Sequence, residues 1–501
     1  MLVRRLAPAV STLALAAVAL TPLPAQTGAS APLTGQAAFT NWDQQHPGVS
    51  HRITVADLPE PKPAEAVENG PSVVPRPDGA MPIAPAGFKV ELYAGGDYKP
   101  APRDPNTGKA APVTKAESTF QEPRELRTAP NGDIFLSDSH GDTVYVMRGK
   151  NADGKAATIS TFATGLNLPF GINFYPAGPN PKWIYIANTD SVVRFPYKSG
   201  DLKASGKPET VVAQLPGFAQ LRGGGHWTRD VVFTKDGQHM LISVGSGSNV
   251  DDPDTTPKEF HRADVLEFTP EGKFVKVYAS GLRNCVGEAI NPVTGSLWCS
   301  TNERDNLGNH LVPDYVTSVK EGGFYGWPWY YMGGHADPRL AAPCADGTGA
   351  NQQAPATSPD GTSCKHVDLS AKVLTPDVLV QPHMASLEMV FYPSATAGQT
   401  PAFPASYAGD AFAAEHGSWN RAARAGYEVV HIPMHNGKAE GTYEDFLTGF
   451  LTPGGQVWGR PVGVTVAKDG SLFVTDDGSR SVWHVTYTGA GTQNASTSTG
   501  R

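Results

Sequence analysis

DGSLFVTDDG (469–478) is a turn followed by a short run of strand-forming residues, and the same pattern recurs along the chain. The other copies are NGDIFLSD (131–138), NPKWIYIAN (180–188), DGQHMLISVG (236–245), TGSLWCST (294–301) and YAGDAFAAEHG (407–417). Gly, Asn and Asp open each turn, and branched or aromatic residues then favour extended backbone. The period is on the order of 50 to 60 residues, enough for a blade of about four strands, so the spacing predicts an all-β, six-bladed β-propeller over residues 86–488. Between the fourth and fifth copies the distance roughly doubles. That predicts an insertion between blades four and five, from about 329 to 381. The strand Phe88–Tyr93 is expected to close the ring by completing the last blade beside Val482–Tyr487. Two packed β-sandwiches are the competing arrangement, and the regular spacing fits them less well.

Composition agrees with many short strands joined by tight turns. The 501 residues include 54 Gly and 44 Pro, and 18% are charged. A net charge of −8 offers no general attraction for nucleic acid or an anionic membrane, so neither is an expected partner. Arg4 and Arg5 precede an apolar run from Leu6 to Leu20 and the small-residue stretch TPLPAQ, which reads as a signal peptide over 1–25. The run is too short for a membrane span of about 20 residues, and no later segment is apolar enough for one. This leader predicts a periplasmic or secreted protein. Residues 26–85, rich in Pro, Ala and Glu, read as an extended arm, and 489–501 as a polar, disordered tail. Four cysteines in an exported chain suit two disulfides, and locality favours Cys285 with Cys299 and Cys344 with Cys364.

In a propeller, chemistry sits where loops converge on the central channel. Four segments carry unusual residues beside the repeats: GGGHWTRD (223–230), GLRNCVGEA (281–289) with STNERD (300–305), AAEHGSWNR (413–421) and VWGRPVG (457–463). Three glycines bring the backbone close to the axis and present His226, whose imidazole suits general-base work near neutral pH. A lone histidine more often only hydrogen-bonds in a crowded turn. Arg283, Arg304, Arg421 and Arg460 fall at comparable places in different repeats, and converging guanidinium groups suit a polycarboxylate, with Asn284 offering both donor and acceptor. Taken singly, each arginine would read as a surface ion pair. The oxygen-rich run TNERDNLGNHLVPD lacks the spacing of an EF-hand loop. The aromatic segment GGFYGWPWYY (322–331) reads either as core or as a sugar-stacking wall at the channel mouth. There is no GxGxxG before a helix, no P-loop, no GxSxG elbow and no HExxH.

Taken in order, GHWTRDVVFTKDG, GLRN, NERD followed by VPDYVTSVKEGGFYGWP, EHGSWNR with GYEVV, and VWGRPVGV resemble the soluble quinoprotein sugar dehydrogenases, most closely the L-sorbosone dehydrogenase branch. The resemblance runs from about Gly87 to Val485. It implies a six-bladed propeller with pyrroloquinoline quinone (PQQ) at the channel mouth and calcium beside it. His226 would remove the proton from the substrate hydroxyl. Arg283 and Asn284 match the pair beside the cofactor, and Arg460 an arginine facing a cofactor carboxylate or the substrate. His416 falls where the glucose-oxidising branch has a lysine, and Arg421 joins the cofactor-binding set. The main-chain oxygens of Glu303 and Arg304 fall at the calcium position. Ser246 and Val286 depart from that branch, replacing an acidic residue and a glutamine, so glucose is not carried over as substrate. A sugar substrate and a separate electron acceptor, a cytochrome or a quinone, are the implied partners. The alternatives are a calcium-dependent lactone or ester hydrolase and a non-catalytic carbohydrate-binding module.

Overall fold

In the computed structural model of the protein, which describes residues 31–99, 118–216, 225–342, 357–394 and 402–489, each of the six repeated runs is the second strand of a four-stranded antiparallel unit. These strands are Ile134–Asp138, Trp183–Ala187, Met240–Val244, Leu297–Thr301, Ala411–Glu415 and Leu472–Asp476. Nearly all their residues are buried, because each lies mid-blade with another blade packed on either face. That is why the runs lack the polar alternation of a half-exposed strand. The outer strands, such as Ala156–Thr164 and Phe274–Ser280, are the exposed ones. The chain is thus an all-β, six-bladed propeller.

The ring closes between its two ends. Phe88–Gly95 pairs antiparallel with Ser481–Tyr487, placing Val90 opposite Val485 and Leu92 opposite Trp483, and so supplies the outer strand of blade six. The stretch read as an extended arm also builds structure. Ser50–Arg52 pairs with Tyr443–Leu447 at the outer edge of blade five, and Leu33–Thr34 adds alongside, making a six-stranded sheet. An otherwise open sheet edge is thereby covered. His51, fully buried there, lies 3.0 Å from Asp445 Oδ1 and 3.1 Å from the Ala38 main-chain oxygen.

The long excursion lies elsewhere than the spacing suggested. It leaves blade four after Pro313–Val319 and returns as that blade's outer strand, Val378–Pro382, so it interrupts blade four rather than separating blades four and five. Only pairing could reveal this, because a fourth strand delayed by an excursion looks in sequence like a gap between blades. A disulfide joins Cys285 to Cys299, tying the first two strands of blade four. Cys364 is also disulfide-bonded. Cys344, the leader over 1–25, and Gly223 and Gly224 lie outside the described residues, as does the tail beyond Gly489.

Phe170, Val286, Leu387 and Val462 form one buried cluster. They come from the inner edges of blades two, four, five and six, and blade two can reach the other three only across the axis, so the cluster plugs the channel. Slightly further along the inner strands lie Glu125, Arg127, Asp230, Glu288 and Glu388. Arg127 stands 2.5 Å from Glu125, 3.6 Å from Asp230 and 3.9 Å from Glu388. Burial pushes the Glu125, Glu288 and Glu388 carboxyls far above the usual range.

Candidate active site

The residues singled out in sequence mostly fall at one end of the channel, where each inner strand begins and each second strand ends. Gly225–Asp230 lead into Val231–Phe233 of blade three, and Gly281–Asn284 into Cys285–Ile290 of blade four. Residues 245–249 and 302–305 leave the second strands of those blades at the same end. Blade five adds residues 383–385 and 416–419, and blade six adds Arg460 and Asp477.

A pocket of about 370 Å³ opens here, with His226, Asn249, Arg283, Asp305, His383 and Trp419 on its wall. His226 Nδ1 lies 2.9 Å from the Ser246 main-chain oxygen and 3.0 Å from Ser246 Oγ. Ser246 Oγ donates to the Ser248 oxygen, so its lone pairs face the ring. A carbonyl oxygen only accepts, so Nδ1 carries the hydrogen and Nε2 keeps its lone pair. Burial, reinforced by the Arg283 charge, pushes the His226 pKa down to about 3, so the imidazole is neutral at working pH. Gly245 makes this packing possible: a Cβ there would collide with both His226 and Asn284.

Arg283 is held on several sides. Nε donates to the Asn249 main-chain oxygen (3.2 Å), Nη1 to the Glu303 main-chain oxygen (2.6 Å), and Nη2 to Asn249 Oδ1 (3.0 Å) and Asp305 Oδ2 (3.1 Å). Asp305 also faces His383 Nδ1 at 3.3 Å, and His383 Nε2 lies 3.0 Å from the Gly308 oxygen. Burial alone would raise the Asp305 pKa, but His383 and Arg283 outweigh it and hold the carboxyl below its ordinary value.

A second group completes the rim across blades five, six and one. His416 Nε2 lies 2.9 Å from Asp477, and Arg460 Nη2 donates to His416 Nδ1 at 2.9 Å. Asp477 also accepts from Arg124 Nη1 at 2.6 Å. Burial first, then Arg460, pushes the His416 pKa down to about 4. Despite its burial, Asp477 is held well below the usual carboxylate range by His416 and the two arginines. Arg124 lies over the Trp227 ring at 5.3 Å, linking this group to the His226 segment.

Two expectations are not met by the placement of side chains. Arg421 does not reach the pocket: it is buried under the N-terminal stretch, donating to the Thr40 main-chain oxygen and to Gln381 Oε1, both at 2.9 Å. Its sequence neighbourhood resembled the other arginines, but its partner lies in a segment hundreds of residues away. Arg304 is fully buried, paired with Glu303 and Asp337 and donating to the Pro328 and Tyr330 oxygens, so it latches the blade-four excursion.

The calcium position fares similarly. The Glu303 main-chain oxygen already accepts from Arg283, whose positive charge would repel a cation there. Among the described residues, one group of carboxylates has ligand atoms within 4.8 Å of one another, namely Glu125, Asp230 and Glu388. The Arg127 guanidinium already stands among them. The Glu303 main-chain oxygen, held by Arg283, is therefore a poor calcium ligand in this arrangement.

For an anionic quinone the fit is better. Among the described residues Asn284 Oδ1 is buried without a hydrogen-bond partner, an acceptor left open to a donor. Arg460 forms no direct ion pair with a carboxylate among the described residues, its guanidinium donating hydrogen bonds to His416 while acting on Asp477 from further off. Asp305, His383 and Trp419 had not been singled out in sequence. His383 and Trp419 sit beside blade five's inner and second strands, as His226 and Asn249 do in blade three, so repeat alignment was the signal that could have found them. The aromatic segment 322–331 does not line this pocket; Tyr325, Trp327, Tyr330 and Tyr331 are buried.

A family model described as TrAA12-like matches residues 108–488, more than half of the chain. The pyrroloquinoline quinone-dependent pyranose dehydrogenase of Coprinopsis cinerea is 24% identical over 405 residues, 71% of this chain and 52% of that protein. The chain thus spans about half the length of that relative. The Trichoderma reesei structure of carbohydrate-active enzyme family AA12 superposes with a TM-score of 0.60 at 18% identity, covering 84% of this chain and 100% of the other. The holo form of the pyranose dehydrogenase PQQ domain from Coprinopsis cinerea does so at 0.60 and 20% identity, covering 82% and 98%. At these identities the likeness is one of fold.

Proposed function

Because the chain belongs to the TrAA12-like family, we propose that it is an oxidoreductase that binds PQQ at the channel mouth and oxidises a sugar, sugar aldehyde or polyol there. The L-sorbosone dehydrogenase branch it resembles supplies that substrate range, and the leader supplies the periplasmic or secreted destination. Among the described residues no helix is long and apolar enough to cross a membrane.

The observation that carries the reading is the tautomer of His226. With Nδ1–H held by Ser246, the ring presents Nε2 as a proton acceptor on a pocket wall that also carries Arg283. His226 takes the proton of the substrate hydroxyl. Arg283, Asn284 and Arg460 hold the cofactor: Asn284 Oδ1 accepts a hydrogen bond, Arg460 meets a carboxylate, and Arg283 adds positive charge from a fixed position. His416 orients Arg460 through Nδ1. Bound PQQ supplies a two-electron acceptor that no side chain here can provide. Trp419, 38% exposed at the rim, offers an apolar face to the substrate ring. Electrons then leave to a separate acceptor, a cytochrome or a quinone.

The test is dye-linked dehydrogenase activity of the purified protein across a sugar panel, with and without PQQ and calcium. Activity that requires the quinone is the expected result. Quinone-independent lactone hydrolysis, or sugar binding without turnover in the loaded protein, would overturn the reading.

A further inference from the structure

The aromatic segment that does not reach the His226 pocket helps line another cavity. This second cavity, about 810 Å³, lies between the outer part of blade three and the blade-four excursion. Phe260, 71% exposed, is stacked on His261 at 3.9 Å. Across the cavity stand Phe324 and Trp329, their rings 6.4 Å apart. Trp329 is fixed in place: Nε1 donates to Asp252 Oδ1 at 3.1 Å, and its ring lies 4.1 Å from that of His366.

The polar part of the wall is unusual. Asp264 is 9% exposed, and its carboxyl makes no hydrogen bond or ion pair with the described residues. Burial pushes its pKa up to about 8, which leaves it protonated and able to donate. A buried carboxyl is costly without a partner, and this one lines an open cavity. The cavity also shares a partition with the first pocket. Trp327, on its wall, donates through Nε1 to the Asn249 main-chain oxygen at 2.9 Å, and Asn249 lines the His226 pocket.

We propose that this cavity is a binding site for a neutral oligosaccharide, with Asp264 hydrogen-bonding a hydroxyl and Phe260 and Trp329 packing against the apolar faces of the pyranose rings. Exposed aromatic faces around a few fixed polar groups suit a ligand with C–H faces and a hydroxyl rim. Lys320 and Lys372 stand with Glu321 on the same wall, so the charge is mixed and does not select an ion. The choice of sugar as ligand rests on the proposed dehydrogenase function, but the test does not.

Binding of a neutral glucose oligosaccharide series, from the disaccharide upward, is measured by calorimetry and tryptophan fluorescence on quinone-free protein. Wild type and His226→Ala should bind alike. Phe260→Ala should weaken binding about tenfold. Asp264→Val should weaken it at least as much while keeping or raising the melting temperature, because it removes a buried carboxyl that has no partner. Turnover of a monosaccharide should be unchanged in Phe260→Ala. No oligosaccharide binding by wild type, wild-type affinity in both the Phe260→Ala and Asp264→Val variants, or binding only of a soluble quinone analogue at this cavity would overturn the inference. Oligosaccharide binding without dehydrogenase activity would instead count against the proposed reaction and leave this site standing.

Discussion

Ser246 holds the His226 ring by one nitrogen only, with Nδ1 at 2.9 Å from its main-chain oxygen. The other nitrogen is left as a base, so His226→Ala should lower kcat by about 10²- to 10⁴-fold while PQQ still binds. Steady-state turnover alongside a quinone titration checks both halves. Ser246→Ala keeps the main-chain acceptor and should cost less than about tenfold.

The neutral state of His226 also has a pH signature. Its pKa is depressed to about 3 in the folded protein, so the base form is lost only as pH falls through that value. The profile of kcat/KM should therefore show no acid limb from this group between about pH 5 and 7. Asn substituted for Asp305, which weakens the charge next to Arg283, is the companion measurement for the local field.

Arg283 should tolerate neither alanine nor lysine. It donates to Asn249, Glu303 and Asp305 through a planar fork that an ammonium cannot reproduce. Arg283→Ala leaves Asp305 without its guanidinium and should destabilise the fold by about 3 to 5 kcal/mol, with loss of PQQ binding. Thermal melting and quinone titration separate the two effects.

Arg127→Met removes the guanidinium beside Glu125, Asp230 and Glu388, and should cost about 3 to 5 kcal/mol at neutral pH. The loss should shrink toward acid pH. Burial raises the folded-state pKa of Glu125, Glu288 and Glu388, so their contribution is present below the unfolded carboxylate range and is lost as pH rises through the folded values. Melting temperature against pH should fall more steeply in the variant than in wild type.

The Cys285–Cys299 bond closes a loop with a sequence separation of 14, worth about 3 kcal/mol in the chain-entropy picture. The double serine variant should melt correspondingly lower. It should also bind PQQ less tightly, since the joined strands carry Arg283 and Asn284 at one end.

The second strand of every blade was legible in sequence because it depends on local facts: a turn, a short apolar run, and a repeat length that sets one blade. The closing partner, Phe88–Gly95, was legible for the same reason, as an unpaired strand ahead of the first repeat. His226, Arg283, Asn284, His416 and Arg460 could be read as mouth residues because each stands in a segment that leads into or leaves one of the repeats. Tertiary structure decided the rest. Whether an arginine faces the channel depends on which oxygens surround it, and Arg421 found Thr40, far away in the chain, while Arg460 found only His416. The added strands on blade five, the excursion inside blade four and the pairing of Asp305 with His383 likewise rest on contacts between distant segments. Local pattern specifies strands; only closure of the ring determines which polar groups meet, because hydrogen bonds and ion pairs are made between neighbours in space.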